Sequence, residues 1–281
     1  MLDEDEMKYL LESLKDKDPY LRVFTINSIV DNSKREEALD TLINSLLDEN
    51  AEVRARAAWA LGKIKNKRAS EPLIQSLNDD DFTTRKNSLR SLGEIVALEA
   101  IQEIENKLED RHWEVRNEAA VVLDYLGWVP NSTDQRTYHL IAKGRWQEVL
   151  KIEDLSIELL FPFLKDEDNE VQRRIAWILG EKKDERAVQP LYDLFMTAKL
   201  HDVKEKSSLA IGSIGGTKAV ELLQVALHDS NWFIRKCAAT SLGLIKDKSA
   251  IEPLKLLTSD TNRFVSQSAR EAIKRIDEKD N

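Results

Sequence analysis

The sequence predicts an all-α fold, a solenoid of stacked two-helix units interrupted once by a helical insertion. Three observations predict it. A pattern anchored on arginine recurs every 31 or 32 residues, and the second half of each unit carries an apolar stripe of helical period. Glycine (9) and proline (6) are also sparse in 281 residues, as suits a mostly helical chain with short connections.

The anchors are Arg22, Arg54, Arg85, Arg116, Gln172, Lys204, Arg235 and Ser266, so eight units emerge, with one longer spacing of 56 between the fourth and fifth. Six residues before the anchor stands Asp16, Asp48, Asp79, Asp110, Asp166, Asp229 or Asp260, a pattern broken by Ala198. Eight residues after it stands Gly62, Gly93, Gly180, Gly212 or Gly243 in five units. An apolar residue lies eight before it in all but the last, from Leu14 and Leu46 to Met196 and Leu227.

Each unit reads as two helices. In the first, Pro72, Pro190 and Pro253 sit near the start, where a missing N–H costs nothing. A polar, acidic turn follows, and its carboxylates favour the positive end of the second helix. There Val53, Ala57, Leu61 and Ile64 form one stripe, flanked by small residues such as Ala58, Ala60, Ala119, Ala120, Ala238 and Ala239. Small residues let adjacent helices approach closely. Neither helix buries its face alone, so stability must come from stacking.

The interruption begins at Trp128-Val129-Pro130, with a turn leading into a predicted helix over 135–143 that stops at Gly144, and a shorter helix over 145–150. Two readings stay open. It is a packing element between two four-unit halves, the favoured reading, or a binding protrusion carrying Tyr138, His139, Lys143, Arg145 and Trp146. The expected division is 1–127 for four units, 128–153 for the insertion and 154–281 for four more, in one solenoid domain. An amphipathic helix over 7–14 behind an acidic stretch, and a highly charged segment over 269–276, are expected to cap the ends.

The residues Arg54, Ala57, Ala58, Leu61, Gly62 and Ile64, with Asp48 six before the arginine, resemble the HEAT-repeat family. In particular they are similar to its short prokaryotic units, the phycobilin-lyase-like (PBS lyase) HEAT-like repeats. The resemblance implies a right-handed α-α superhelix of about eight two-helix HEAT-like repeats. It also implies an armadillo-like helical surface and a hydrogen-bonded Asp–Arg ladder between neighbouring units. Gln172, Lys204 and Ser266 depart from that ladder, so weaker coupling is expected around units five, six and eight.

A formal net charge of −9 and a sequence pI near 5.2 argue against a general nucleic-acid or anionic-membrane binder. One cysteine, Cys237, leaves no intrachain disulfide and fits a reducing compartment. The acidic start lacks the basic and apolar regions of a secretion signal, and no long apolar run occurs, so a cytoplasmic protein is expected. His112, His139, His201 and His228 stand far apart in sequence, which predicts no metal centre and no cofactor. The absence of any His-Glu dipeptide sets the chain apart from the iron-binding HEAT-repeat enzyme deoxyhypusine hydroxylase. Gly215-Gly216 reads as a plain turn, Cys237 as a buried or idle thiol, and no catalytic residue is assigned.

On a helical wheel, positions two, five and nine after the anchor share the face opposite the core, expected to line the concave surface. These place Arg56, Trp59 and Lys63 in unit two, Arg90 in unit three, Tyr125 in unit four, and Arg174 and Trp177 in unit five. Trp, Tyr and Arg dominate binding hot spots, so these seven are the candidate partner-binding residues. The competing reading has both tryptophans lean into the groove between helices. The function expected is a non-catalytic protein-binding scaffold or adaptor. The alternative is a lyase-like or DNA-glycosylase-like enzyme, or an accessory subunit of one, with a ligand pocket in the same groove.

Overall fold

In a computed structural model, residues 4–31 and 35–278 are described. Residues 1–3 of the acidic N-terminal stretch lie outside them. The chain is an all-α solenoid of two-helix repeats, and it divides into two compact units, Met1–Arg145 and Trp146–Asn281. The division falls inside the expected insertion.

In the N-terminal unit the second helices of repeats one to four are Pro19–Val30, Ala51–Ile64, Phe82–Ile95 and Trp113–Tyr125, each packed on the next. In the C-terminal unit they are Asn169–Lys182, His201–Ile214, Trp232–Ile245 and Arg263–Asp277, again packed in series. The stripe of Val53, Ala57, Leu61 and Ile64 is buried, as are the small flanking residues Ala58 and Ala60.

A side chain four residues before the anchor starts most second helices. Asp18, Asn50, Asp81, Asp168, Asn231 and Asn262 each accept from a backbone N–H of the first turn. The aspartate two residues earlier organises that cap. Asp48 Oδ1 accepts from Asn50 N at 2.9 Å, and Asp79, Asp110, Asp166, Asp229 and Asp260 repeat the bond. The recurrent aspartate is therefore both a turn former and a ladder rung.

The recurrent glycine marks a close approach of second helices. A Cβ on Gly62 would lie 2.3 Å from Ser91 Oγ and 2.9 Å from Ser91 Cα, and one on Gly243 would lie 2.8 Å from Ala272 Cα. The facing position, six after the next anchor, is small for the same reason at Ser91, Ala210, Ser241 and Ala272, whereas Gly93 faces Val122 at a looser 3.2 Å. Where it is serine it also bonds: Ser91 Oγ donates to Ala58 O at 2.8 Å and Ser241 Oγ to Ser208 O at 2.7 Å.

Three elements differ in more than one boundary residue or in type, the first being the N-terminal helix expected over 7–14, which runs Glu4–Ser13. The helix expected over 135–143 runs Thr133–Ala142, because Ser132 Oγ accepts from Gln135 N and sets an earlier start. The first helix of repeat five is a 3₁₀ run, Ile157–Lys165, with Pro162 inside it, where an α-helical hydrogen bond is denied a donor. Helix Thr133–Ala142 packs within the N-terminal unit. It buries Thr137, Leu140, Ile141 and Ala142, Asn117 Nδ2 donates to Ala142 O at 3.2 Å, and Gln135 Nε2 donates to Glu105 Oε1 at 2.6 Å. The shorter helix, Trp146–Leu150, buries Val149 in the C-terminal unit.

Candidate functional site

The ladder that positions the second helices is built in two directions. Each anchor arginine reaches back: Arg54 Nη1 donates to Asp48 O at 2.9 Å, and Arg22, Arg85, Arg116 and Arg235 repeat this within 2.7–2.8 Å. Arg22, Arg54, Arg85 and Arg235 also reach forward to the aspartate of the next repeat. Arg54 grips Asp79 with Nε at 2.7 Å and Nη2 at 2.8 Å; Arg85 grips Asp110 and Arg235 grips Asp260 with the same fork. Arg22 pairs with Asp48 at 2.8 Å through Nη2, and among the described residues its Nε has no partner.

Burial pushes the Asp79 and Asp110 carboxyls up. The guanidinium forks and the N–H groups of Asp81 and His112 outweigh it, so both lie below the usual carboxylate range. Asp260 lies below it as well, chiefly through Arg235. The departures behave differently. Gln172 Nε2 keeps the backward bond to Asp166 O at 2.8 Å. Lys204 Nζ turns back to Phe195 O and Met196 O at 2.9 and 2.7 Å, and burial holds its pKa below the usual lysine value. Ser266 Oγ bonds within its own helix, to Arg263 O.

The seven sequence-assigned residues fall in two groups, one in each unit. In the N-terminal unit, Arg56 places its guanidinium 5.1 Å from the centre of the Trp59 ring and Lys63 its ammonium at 6.0 Å. Trp59 is half-buried and packs on the core, so it stands partly in the inter-helix groove and partly on the face. Lys63 pairs with Glu94 at 2.7 Å, Arg90 with Glu118 through two bonds of 3.1 and 2.9 Å, and Lys86 with Glu114. Tyr125 is 69% exposed at the end of its helix. Most cations here are thus tied to a glutamate one repeat on. Among the described residues Arg56 makes no ion pair.

In the C-terminal unit, Arg174 and Trp177 line one cleft of about 450 Å³ with Gln147, Glu170, Arg173 and Lys206. Glu170 is shared: Arg174 Nε donates to it at 2.6 Å, and Arg173 bridges it to Asp202. Arg174 holds the Glu170 carboxyl below its usual range, helped by the charge of Arg173. Trp177 is half-buried.

Other sequence-assigned features found definite places. Cys237 is buried, and burial pushes its thiol up to about 11, the setting of an inert thiol. His139 Nε2 sits 2.8 Å from Asp124 Oδ1 with its ring beside Trp128, Lys143 also bonds Asp124, and Tyr138 packs on the core. Among the described residues there is no group of three or more His, Cys, Asp or Glu side chains able to hold a metal ion, and no helix long and apolar enough to cross a membrane.

The sequence reading missed an aromatic row just before the anchors. In the C-terminal unit His201 stacks on Phe233 at 4.1 Å, Trp232 lies 5.8 Å from Phe264, and Arg263 covers Phe264 at 4.8 Å. In the N-terminal unit Phe82 stacks on His112 at 4.6 Å. The signal was present as aromatic and histidine residues recurring two to four positions before the anchor, outside the wheel positions taken as the face.

The HEAT repeats family matches residues 7–86 and 198–274, more than half of the chain, and the PBS lyase HEAT-like repeat family matches residues 171–195. The chain belongs to the HEAT-repeat family. Among solved structures, human deoxyhypusine hydroxylase in complex with glycerol is 20% identical over 98% of this chain and 97% of its own, with a TM-score of 0.41. The complex of CpcE and CpcF of phycocyanin lyase from Nostoc sp. PCC7120 is 19% identical over 96% and 94%, with a TM-score of 0.34. No curated protein matches the sequence.

Proposed function

We propose that the chain is a protein-binding scaffold or adaptor that receives its partner on the second-helix faces of its repeats. Arg56, Trp59, Lys63, Arg90 and Tyr125 form the contact residues of the N-terminal unit, and Arg174 and Trp177 those of the C-terminal unit. The observation that carries the reading is the Arg56–Trp59 pair. The indole is fixed at its base by the core and covered by a cation, while the neighbouring charges of Lys63 and Arg90 are already neutralised by Glu94 and Glu118. A partner docking there meets a rigid aromatic anchor and a surround whose charges need little further compensation. An enzyme of the lyase-like or glycosylase-like kind has less support, because the one thiol is buried and the carboxylates nearest the candidate residues are engaged in ion pairs.

The test is cross-linked affinity capture with wild-type protein and an Arg56→Glu/Trp59→Ala variant of matched helicity, followed by calorimetry with the purified captured protein. A partner bound at least about tenfold more weakly by the variant supports the reading. Equal retention by both removes Arg56 and Trp59 from the site.

A further inference from the structure

The cleft of the C-terminal unit differs from the N-terminal face in the state of its charges. Three cations, Arg173, Arg174 and Lys206, line it against one carboxylate, Glu170. Asp202 meets Arg173 from the adjacent helix. Two carboxylates therefore face three cations, an excess of positive charge in a chain whose net charge is −9.

The excess is also unpaired in geometry. Arg174 commits Nε to Glu170, and among the described residues its two Nη groups bond nothing. The Lys206 ammonium and the Gln147 side-chain amide likewise have no partner among the described residues, and both side chains are exposed. Donors with unmet bonds thus stand beside the half-buried indole of Trp177. The volume of about 450 Å³ lies within the usual range of ligand sites, roughly 300–1,000 Å³.

These groups call for an occupant with an anionic, acceptor-rich end and a flat apolar part beside it. An arginine fork with free Nη groups favours a planar carboxylate, and the indole offers a face or edge to a ring. We propose that this cleft binds an acidic peptide segment in which a glutamate or aspartate lies beside an aromatic residue. The carboxylate is taken by Arg174 and Lys206, Gln147 adds a neutral donor, and the ring packs on Trp177. The inference rests on the scaffold reading and names the chemistry of the partner that reaches this unit.

The experiment uses the full chain and a fluorescein-labelled, acetylated peptide carrying Glu-Tyr-Glu between Gly-Ser spacers, read by anisotropy. Controls replace both glutamates by glutamine, or the tyrosine by glycine, and inorganic phosphate serves as competitor. The proposal predicts saturable binding that weakens with added salt. It predicts at least about a tenfold loss for the glutamine peptide and for Lys206→Glu, an exposed substitution that leaves the helices intact. Trp177→Phe should keep the preference for tyrosine over glycine, and Trp177→Ala should abolish it. Lys218→Glu, an exposed charge reversal outside the cleft, should change nothing.

No binding, equal binding of the glutamine peptide, or indifference to Lys206→Glu overturns the proposal. Full displacement by phosphate at the peptide's own affinity also overturns it, because the cleft would then be a bare anion site. A protein captured through Arg56 and Trp59 without peptide binding here leaves the scaffold reading standing and removes this inference alone.

Discussion

The two units hold their second helices side by side with the same small-residue contacts but with unequal ladders. In the N-terminal unit Arg22, Arg54 and Arg85 each reach forward to the aspartate of the next repeat. In the C-terminal unit Gln172 and Lys204 turn back into their own repeat, and Arg235 reaches forward to Asp260. Gly180 meets Ala210 and Gly243 meets Ala272 as closely as Gly62 meets Ser91. Stacking therefore does not need the ladder. Close packing sets the fold, and the ladder adds directional, charge-dependent stiffness to one unit more than to the other.

The second-helix faces repeat the contrast. The N-terminal unit neutralises most of its face cations internally through Lys63–Glu94, Lys86–Glu114 and Arg90–Glu118, whereas in the C-terminal cleft Lys206 and the Nη groups of Arg174 have no partner among the described residues. Groups that rigidify one unit are the kind that stay available for recognition in the other.

The strongest way to break this comparison is to cut one rung in each unit. Arg85 and Asp110 have side chains only 5% and 7% exposed, so Arg85→Ala strands a buried carboxylate and should cost about 3 kcal/mol by urea unfolding. Gln172→Ala removes one neutral bond and should cost about 1 kcal/mol. Equal costs would dissolve the distinction. The same pair carries a pH signature. The Asp110 pKa is depressed in the folded protein, so its contribution is present above the ordinary value of 3.8 and is lost as pH falls through the lower folded value. The gap between wild type and Arg85→Gln should accordingly shrink as pH is lowered from 5 toward and below that value, and a gap that widens would contradict the pairing.

Packing substitutions should treat the units alike. Gly62→Ala and Gly243→Ala each drive a methyl into the neighbouring backbone and should cost about 2–3 kcal/mol. A smaller shared effect, about 1 kcal/mol, is expected for Ser91→Ala and Ser241→Ala, which lose matching inter-helix bonds. A marked difference between units in either series would shift weight from the ladder to the packing. The smallest effect is a gain. Val96 ends its helix at φ 59°, a left-handed conformation unfavourable for a β-branched residue, and Val96→Gly should raise stability by up to about 1 kcal/mol.

The fold was legible because stacking leaves a periodic trace. The Asp before Arg54 and the Gly after it are required by a turn and a close approach that recur in most of the repeats. The departures at Gln172, Lys204 and Ser266 were legible for the same reason. Less legible was whatever depends on which neighbour a side chain meets. The helical wheel placed Arg56, Trp59, Arg174 and Trp177 on one face, but not the pairing of Arg90 with Glu118 or the sharing of Glu170 by two arginines. Those contacts join residues about one repeat apart or adjacent on one turn, and charges are too abundant for spacing alone to select them. The stack of His201 on Phe233 was missed because it lies at the helix start, outside the wheel positions chosen as the face.

Residue-resolved native-state hydrogen exchange tests the contrast between the units most directly. The account predicts that amides of Phe82–Ile95 and Trp113–Tyr125, held by the Arg54 and Arg85 forks, exchange at least about tenfold more slowly than those of His201–Ile214, whose anchor is Lys204. Equal protection, or greater protection of His201–Ile214, would contradict it.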